Sequence, residues 1–323
     1  MNLLALTKSR NLLDNRTILP PNKHPAKVYL AHLAKGSSRV SMASTLEKVA
    51  RLISRDRFGA EEFPWHRLHT AHLEAIRSEL RERYKPATAN KYLAAIRGVL
   101  KAAWKLDLIS TDEYQKAISV DPVRGETLPR GRALTSGELR ALFEACAADQ
   151  TPAGRRDAAL MAVLYGAGLR RAEAVALDLA DYSPDTGELR ILGGKGRKDR
   201  IAYATNGALL ALEGWLKVRR SESGPLLLPV SQMGEIQYRR MTTQAVYFVL
   251  RKRAKEASIP SFSPHDLRRS FISDLLDCGA DISLVQQLAG HAKVTTTQRY
   301  DRRPEAAKKK AAEMLIMPFV PPK

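Results

Sequence analysis

The sequence predicts a mainly α-helical protein with a small β-sheet, folded as two domains. Three observations lead there. Apolar residues recur at helical spacing over most of the chain, the stretch Glu188 to Ala202 alternates around a Gly-Lys-Gly turn, and Val120 to Arg132 (VDPVRGETLPRGR) has prolines, glycines and no apolar period. With 323 residues, the chain is long enough for two separate cores.

Residues 1–21 read as an N-terminal extension. They lack the apolar region and small-residue cleavage site of an export signal, and no later run reaches the length needed to cross a bilayer. The expectation is a cytoplasmic protein without membrane contact. A helical domain follows over residues 22–119. Leu46, Val49, Leu52 and Ile53 mark one helix, and Leu68, Leu73, Ile76 and Leu80 mark others after a break at Arg57 to Pro64. Pro86 suits the first turn of the next helix, which buries Leu93, Ile96 and Leu100. Arg77 and Arg81 just before this helix, and Lys91, Arg97, Lys101 and Lys105 on its other faces, make this domain basic and are its DNA-binding candidates.

Residues 120–133 read as an interdomain linker, and a second domain spans residues 134–304. Thr135 can cap its first helix with Glu138 three positions on, ahead of Leu139, Leu142 and Phe143. RDAALMAVLYGAGLRRAEAVAL reads as two helices broken at Gly166 and Gly168, and ELRILGGKGRKDRIA as two short strands. Helices are expected again at Thr205 to Val218, Thr242 to Ala257, Leu267 to Cys278 and Ile282 to Ala289. Residues 305–323 form a C-terminal helix and extended tail whose pendant position suits exchange between subunits.

The chain carries 53 Lys and Arg against 34 Asp and Glu, a formal charge of +19. Such a field attracts a polyanion, nucleic acid first, although charge alone also fits an Arg-rich solvated surface. Cys146 and Cys278 lie in separate apolar-patterned helices, which suits reduced core thiols. No Cys, His and carboxylate grouping has metal-ligand spacing, so no metal or cofactor is expected.

Several residues can handle a phosphate. His265 and Arg268, three apart after Pro264, can point the same way from the start of one helix. Arginine offers permanently charged donors to nonbridging oxygens, and histidine adds a donor or a proton shuttle. Alone, such a pair is more often an interface or capping pair. Arg170 sits at the Gly-rich junction GAGLRRAE, where backbone can approach an anion, and Glu173 one turn on can orient it. Locally, an ordinary helix-start ion pair fits as well. Lys195 tips the turn GGKGRKDR, with Arg197 and Lys198 as further DNA-binding candidates. A lysine there can protonate a departing alkoxide, although a lone Gly-Lys-Gly is more often a solvated turn. Tyr300 stands among polar neighbours after His291, and its phenol is a candidate nucleophile.

Together these motifs resemble the tyrosine recombinases, or phage-type integrases, of bacteria and mobile elements. GAGLRRAEAVAL resembles the first arginine motif with Arg170 and Glu173, and GGKGRKDR the hairpin motif with Lys195. SPHDLRRSF matches the motif of His265 and Arg268, and LAGHAKVTTTQRY that of His291 and Tyr300. Arg171 and Ala172 stand where many relatives have a small or aliphatic residue and Ser, Arg269 where His is common, and Ala289 where Leu is common. None of these departures removes a catalytic group. The motifs run from Leu134 to Arg302, and residues 22–119 resemble the family's core-binding domain in position and character.

The resemblance implies a helical core-binding domain joined to a mixed α/β catalytic domain, clamped around double-stranded DNA at paired core sites. It implies a homotetramer on synapsed DNA, compatible with a monomer in solution and with an accessory protein, acting in the cytoplasm at the nucleoid. Tyr300 would form a 3′-phosphotyrosine, and two rounds of exchange would make and resolve a Holliday junction, with no metal or nucleotide. Arg170, Arg268 and His291 would stabilise the phosphorane, Lys195 would protonate the 5′ oxygen, and His265 would assist proton transfer. Integration or excision of a mobile element is the expected outcome. The competing readings are a type IB topoisomerase-like or telomere-resolving enzyme, separated by recombination between two sites, and a noncatalytic DNA-binding regulator, separated by a covalent adduct.

Overall fold

The structure is a computed structural model that describes residues 19–34, 36–125, 131–193, 199–301 and 312–313. The chain divides into two compact units, Met1–Pro129 and Arg130–Lys323. It is mainly helical with a small antiparallel sheet, as the apolar patterning predicts.

The first unit contains α1 (Pro25–His32), α2 (Ser37–Ser54), α3 (Thr70–Arg83), α4 (Pro86–Lys105) and α5 (Thr111–Ile118). Helix α4 opens with Pro86 and buries Ala89, Leu93, Ile96, Val99, Leu100 and Ala103 along one face, a spacing of three and four residues. These side chains meet Leu46, Val49, Leu73, Ile76 and the fully buried Trp65 in a single core. Burying one such Leu or Ile contributes roughly 1.5–3 kcal/mol. Ser110 and Glu113 close a reciprocal cap on α5.

The predicted linker begins inside this core. Val120 and Val123 are each 3% exposed, the Asn90 side chain both donates to and accepts from the Val123 backbone at 2.9 and 2.7 Å, and Arg97 donates to the Val120 carbonyl. Two apolar residues are too few to show a period, so sequence reading missed this docked segment. The predicted C-terminal helix and N-terminal extension fall mostly outside the described residues.

The second unit begins with α6 (Ser136–Ala148), capped reciprocally by Thr135 and Glu138 as expected. Helix α7 (Pro152–Met161) runs into a π-helical turn, Ala162–Gly166, which ends the predicted helix at its glycine and leads to the short α8 (Arg171–Ala176). Strands β1 (Tyr182–Ser183), β2 (Glu188–Ile191) and β3 (Arg200–Tyr203) pair antiparallel in that order, with Ile191 opposite Arg200. Strand β1 is too short to carry an alternation and was not expected. Leu189, Ile191 and Ala202 point into the core while Ile201 and Tyr203 point outward.

The remaining helices are α9 (Gly207–Arg219), α10 (Thr243–Glu256), α11 (Pro264–Asp277), α12 (Ile282–Ala289) and the single-turn α13 (Val294–Gln298). A buried ion network ties three of them together. Arg253 of α10 donates to Asp157 of α7 at 2.8 Å and to Asp149, just past α6, at 2.6 Å. Cys146 is buried and free, but Cys278 is exposed, because α11 ends at Asp277 and the thiol lies at its cap rather than on its apolar face. The expectation of two core thiols is corrected on that point. Among the described residues no helix is long and apolar enough to cross a membrane, and no three metal-ligating side chains cluster.

Candidate active site

Helix α11 sets the centre of the site. Ser263 caps it through Asp266, and Pro264 occupies its first turn, so it starts three residues before the predicted Leu267 and carries His265 and Arg268 on its first two turns. Arg268 is 1% exposed, and its guanidinium donates to the carbonyls of Gly168 and Ala289. Gly168 has φ +65°, and a β-carbon there would come within 2.4 Å of Phe271. Only glycine places this carbonyl over Arg268 without displacing the ring. Burial and the nearby Arg170 push the Arg268 pKa down to about 9, which leaves it cationic at neutral pH.

Arg170 is the residue that precedes α8. Its guanidinium donates to Glu173 Oε1 at 2.7 Å and to the carbonyl of Gly290 at 2.7 Å. Glu173 Oε2 accepts the Arg170 amide at 2.8 Å, so the acid holds Arg170 by both backbone and side chain. Arg200 of β3 completes the arrangement with a fork on the same carboxylate, at 3.0 and 2.8 Å. Burial alone would raise the Glu173 pKa, but the hydrogen bonds from Arg200 and from the Arg170 amide and guanidinium outweigh it and hold the carboxyl at about 2.

That depressed value has a consequence for stability. Because the folded pKa lies below the ordinary value of 4.5, the stabilisation is complete above pH 4.5 and is lost as pH falls toward 2. The predicted size is about 3 kcal/mol at neutral pH. Urea unfolding of wild type and Glu173→Gln between pH 7 and pH 3 checks this: the gap between them should narrow below pH 4.5, and parallel curves would contradict it.

Helix α12 is capped by Asp281 and ends at Gly290, whose left-handed φ of +59° turns the chain toward His291. Three successive residues therefore meet the site, the carbonyls of Ala289 and Gly290 on Arg268 and Arg170, and the imidazole of His291. His291 Nδ1 is 3.0 Å from Thr297 Oγ1, which orients the ring. Burial, then Arg268 and Arg170, lower its pKa to about 4.

Tyr300 follows α13. Its hydroxyl is 3.2 Å from His265 Nε2, its ring stacks against His291 with centroids 6.1 Å apart, and the Arg269 guanidinium lies 5.3 Å over it. Ser273 Oγ donates to its carbonyl at 3.3 Å. Burial and the Arg268 and Arg269 charges lower the His265 pKa, so its imidazole is neutral at pH 7 and able to take a phenolic proton at this distance. The guanidinium groups beside it suit the charge of a phosphodiester under attack.

The structure thus brings together Arg170, Glu173, His265, Arg268, His291 and Tyr300. Lys195, Arg197 and Lys198 lie outside the described residues. In the first unit, Arg81, Lys101 and Lys105 are exposed, Lys91 is exposed with its ammonium 2.8 Å from Ser41 Oγ, and Arg77 is half-buried and 3.6 Å from Glu74. Arg97 is spent on the Val120 carbonyl. Sequence reasoning missed Arg200 and Thr297. The alternation of β3 held a signal for Arg200, since it shares the inward face with Ala202; Thr297 had none.

Such a site suits transfer of a phosphodiester through tyrosine, and comparison with known proteins agrees. Residues 132–306 match the phage integrase family. Tyrosine recombinase XerD of Pseudomonas putida is 34% identical over 235 residues, spanning 71% of this chain and 75% of that protein. Tyrosine recombinase XerD of Corynebacterium glutamicum is 32% identical over 295 residues, spanning 85% and 92%. In fold, the chain is similar to the Tn1549 transposon integrase in complex with transposon right end DNA, with TM-score 0.64, 18% identity and coverage of 91% and 99%. It is also similar to the XerH site-specific recombinase bound to palindromic difH substrate, with TM-score 0.62, 21% identity and coverage of 97% and 93%. The chain belongs to the phage integrase family of tyrosine recombinases, whose chemistry is site-specific cutting and rejoining of DNA.

Proposed function

We propose that this chain recombines double-stranded DNA at paired core sites, with Tyr300 as the nucleophile, to integrate or excise a mobile element. The observation that carries the proposal is the Tyr300 hydroxyl 3.2 Å from His265, beside guanidinium groups fixed by Glu173 and by the carbonyls of Gly168, Ala289 and Gly290. The phenol oxygen attacks phosphorus and passes its proton to His265. The bond from phosphorus to the 5′ oxygen breaks, and Lys195 protonates the leaving oxygen. Arg170, Arg268 and His291 stabilise the charge that builds on the nonbridging oxygens.

The 3′-phosphotyrosine conserves the phosphodiester, so the 5′-hydroxyl of a partner strand can displace Tyr300 without an added energy source. Two such rounds make and resolve a Holliday junction, on a tetramer that joins two duplexes at the nucleoid. The basic residues Arg81, Lys91, Lys101 and Lys105 of the first unit supply exposed charge for the DNA backbone.

The test is to recover detergent-stable protein-DNA adducts from cells that express the wild type, without added crosslinker, and to sequence their junctions. Adducts at paired short sites bounding one element are the expected result. Adducts at unpaired, scattered positions would indicate relaxation instead, and noncovalent capture alone would indicate a DNA-binding regulator.

A further inference from the structure

Arg200 sits at the base of the hairpin whose tip carries Lys195, in the first position of β3. Its side chain is 12% exposed, although it lies on a strand whose next residue faces solvent. Both terminal nitrogens are used on Glu173, at 3.0 and 2.8 Å, and Nε points to the Leu288 carbonyl at 3.4 Å. The guanidinium also lies flat against Gly290. A β-carbon at that glycine would come within 2.9 Å of Arg200 Cδ and Nε. One side chain therefore touches the hairpin base, the acid that holds Arg170, and the end of α12 that supplies carbonyls to Arg170 and Arg268.

The sharing of Glu173 decides what this contact does. Oε1 receives Arg170 at 2.7 Å and Arg200 at 3.0 Å, so a single carboxylate serves two guanidinium groups and the local charge stays positive. With Arg200 gone, Glu173 would be free to turn its second oxygen onto Arg170, drawing that guanidinium inward and neutralising it. Arg170 would then meet a phosphate both displaced and weakened.

We propose that Arg200 is a positioning residue for strand cleavage, acting through Glu173 to aim Arg170 and registering the base of the Lys195 hairpin against the Gly290 turn. This rests on the recombinase reading above. Lysine cannot reproduce the role, because an ammonium lacks the planar fork that spans both carboxylate oxygens.

The test measures single-turnover adduct formation and DNA affinity on a duplex carrying the recovered core site, for wild type, Arg200→Ala, Arg200→Lys, Glu173→Gln and the Arg200→Ala/Glu173→Gln double variant. Displacement of a positioned group by about 1 Å costs on the order of 100-fold, so Arg200→Ala should slow cleavage by about that factor while its Kd stays within about twofold. Arg200→Lys should recover only part of the rate. The double variant should be no slower than Glu173→Gln by more than about threefold, because both changes cut the same link.

Cleavage by Arg200→Ala at the wild-type rate, or losses that simply multiply in the double variant, would overturn the assignment. Far-ultraviolet circular dichroism of Arg200→Lys separates misfolding from mispositioning: a native spectrum with slowed cleavage supports the proposal, and a rate that falls only with lost folded protein overturns it. Failure of the wild type itself to form an adduct strikes the recombinase reading, and this inference with it.

Discussion

Tyr300→Phe is expected to bind its DNA normally and to form no covalent adduct, with strand cleavage reduced on the order of 10⁵-fold or more, the scale seen when a nucleophile is removed. The substitution deletes one oxygen. Ring stacking with His291 and the Arg269 contact are both made by carbons that Phe retains, and the backbone bond from Ser273 is untouched. The only lost contact is the 3.2 Å one to His265, worth about 1 kcal/mol in an exposed setting. Stability should therefore change little while chemistry stops. Denaturing electrophoresis with the recovered core-site duplex reports the adduct, and native electrophoresis reports binding. A variant that still cleaves would remove Tyr300 from the nucleophile role and direct attention to another hydroxyl or to water.

Arg268→Ala should differ in kind, because it damages fold and chemistry together. The side chain is buried and holds the carbonyls of Gly168 and Ala289, which belong to segments far apart in sequence. Its removal strands both acceptors and leaves a cavity, a loss of about 3–5 kcal/mol by the cost of breaking a buried charged group away from its partners. Cleavage should fall about 10³-fold as a charged donor to the phosphorane is lost. Arg268→Lys keeps the charge, but its single ammonium cannot hold two carbonyls and a phosphate oxygen at once. It should regain stability more than rate. Thermal unfolding paired with single-turnover cleavage checks both halves. A folded, wild-type-fast Arg268→Ala would show that this arginine serves neither.

The two variants also mark where the sequence was legible. Tyr300, Arg268, His265 and His291 lie within one stretch of 36 residues whose helix starts and stops are spelled out by Ser263-Pro264, Asp281 and Gly290. Local capping rules place them, so their spacing carried real geometric content. Arg170 is distant in sequence, yet the turn at Gly168 and the reciprocal bond with Glu173 follow from the residues around it. Arg200 was hidden for a different reason. Its ion pair spans 27 residues and depends on how β3 lies against α8 and α12, which no local period encodes. The docking of Val120 and Val123 was hidden in the same way, since the Asn90 side chain that holds the segment is 33 residues away. Cys278 shows the converse error, where an apolar period was carried one residue past the helix end.

A site with three arginines and one shared carboxylate also explains why both histidines are neutral in the free protein. Each is partly buried and surrounded by fixed positive charge. A bound phosphodiester adds negative charge at the same place, which favours protonation of His291 when the phosphorane forms and leaves His265 able to receive the phenol proton. The described geometry thus separates the two imidazoles by partner: Thr297 holds one, and the Tyr300 hydroxyl faces the other.

The most direct test of this account is mass spectrometry of the covalent adduct. Wild-type protein trapped on a core-site duplex, digested with nuclease and protease, should yield one peptide carrying a nucleotide, with the added mass localised on Tyr300 through a phosphodiester bond. Attachment at any other residue, or no modified peptide from a reaction that has demonstrably cut DNA, would contradict it.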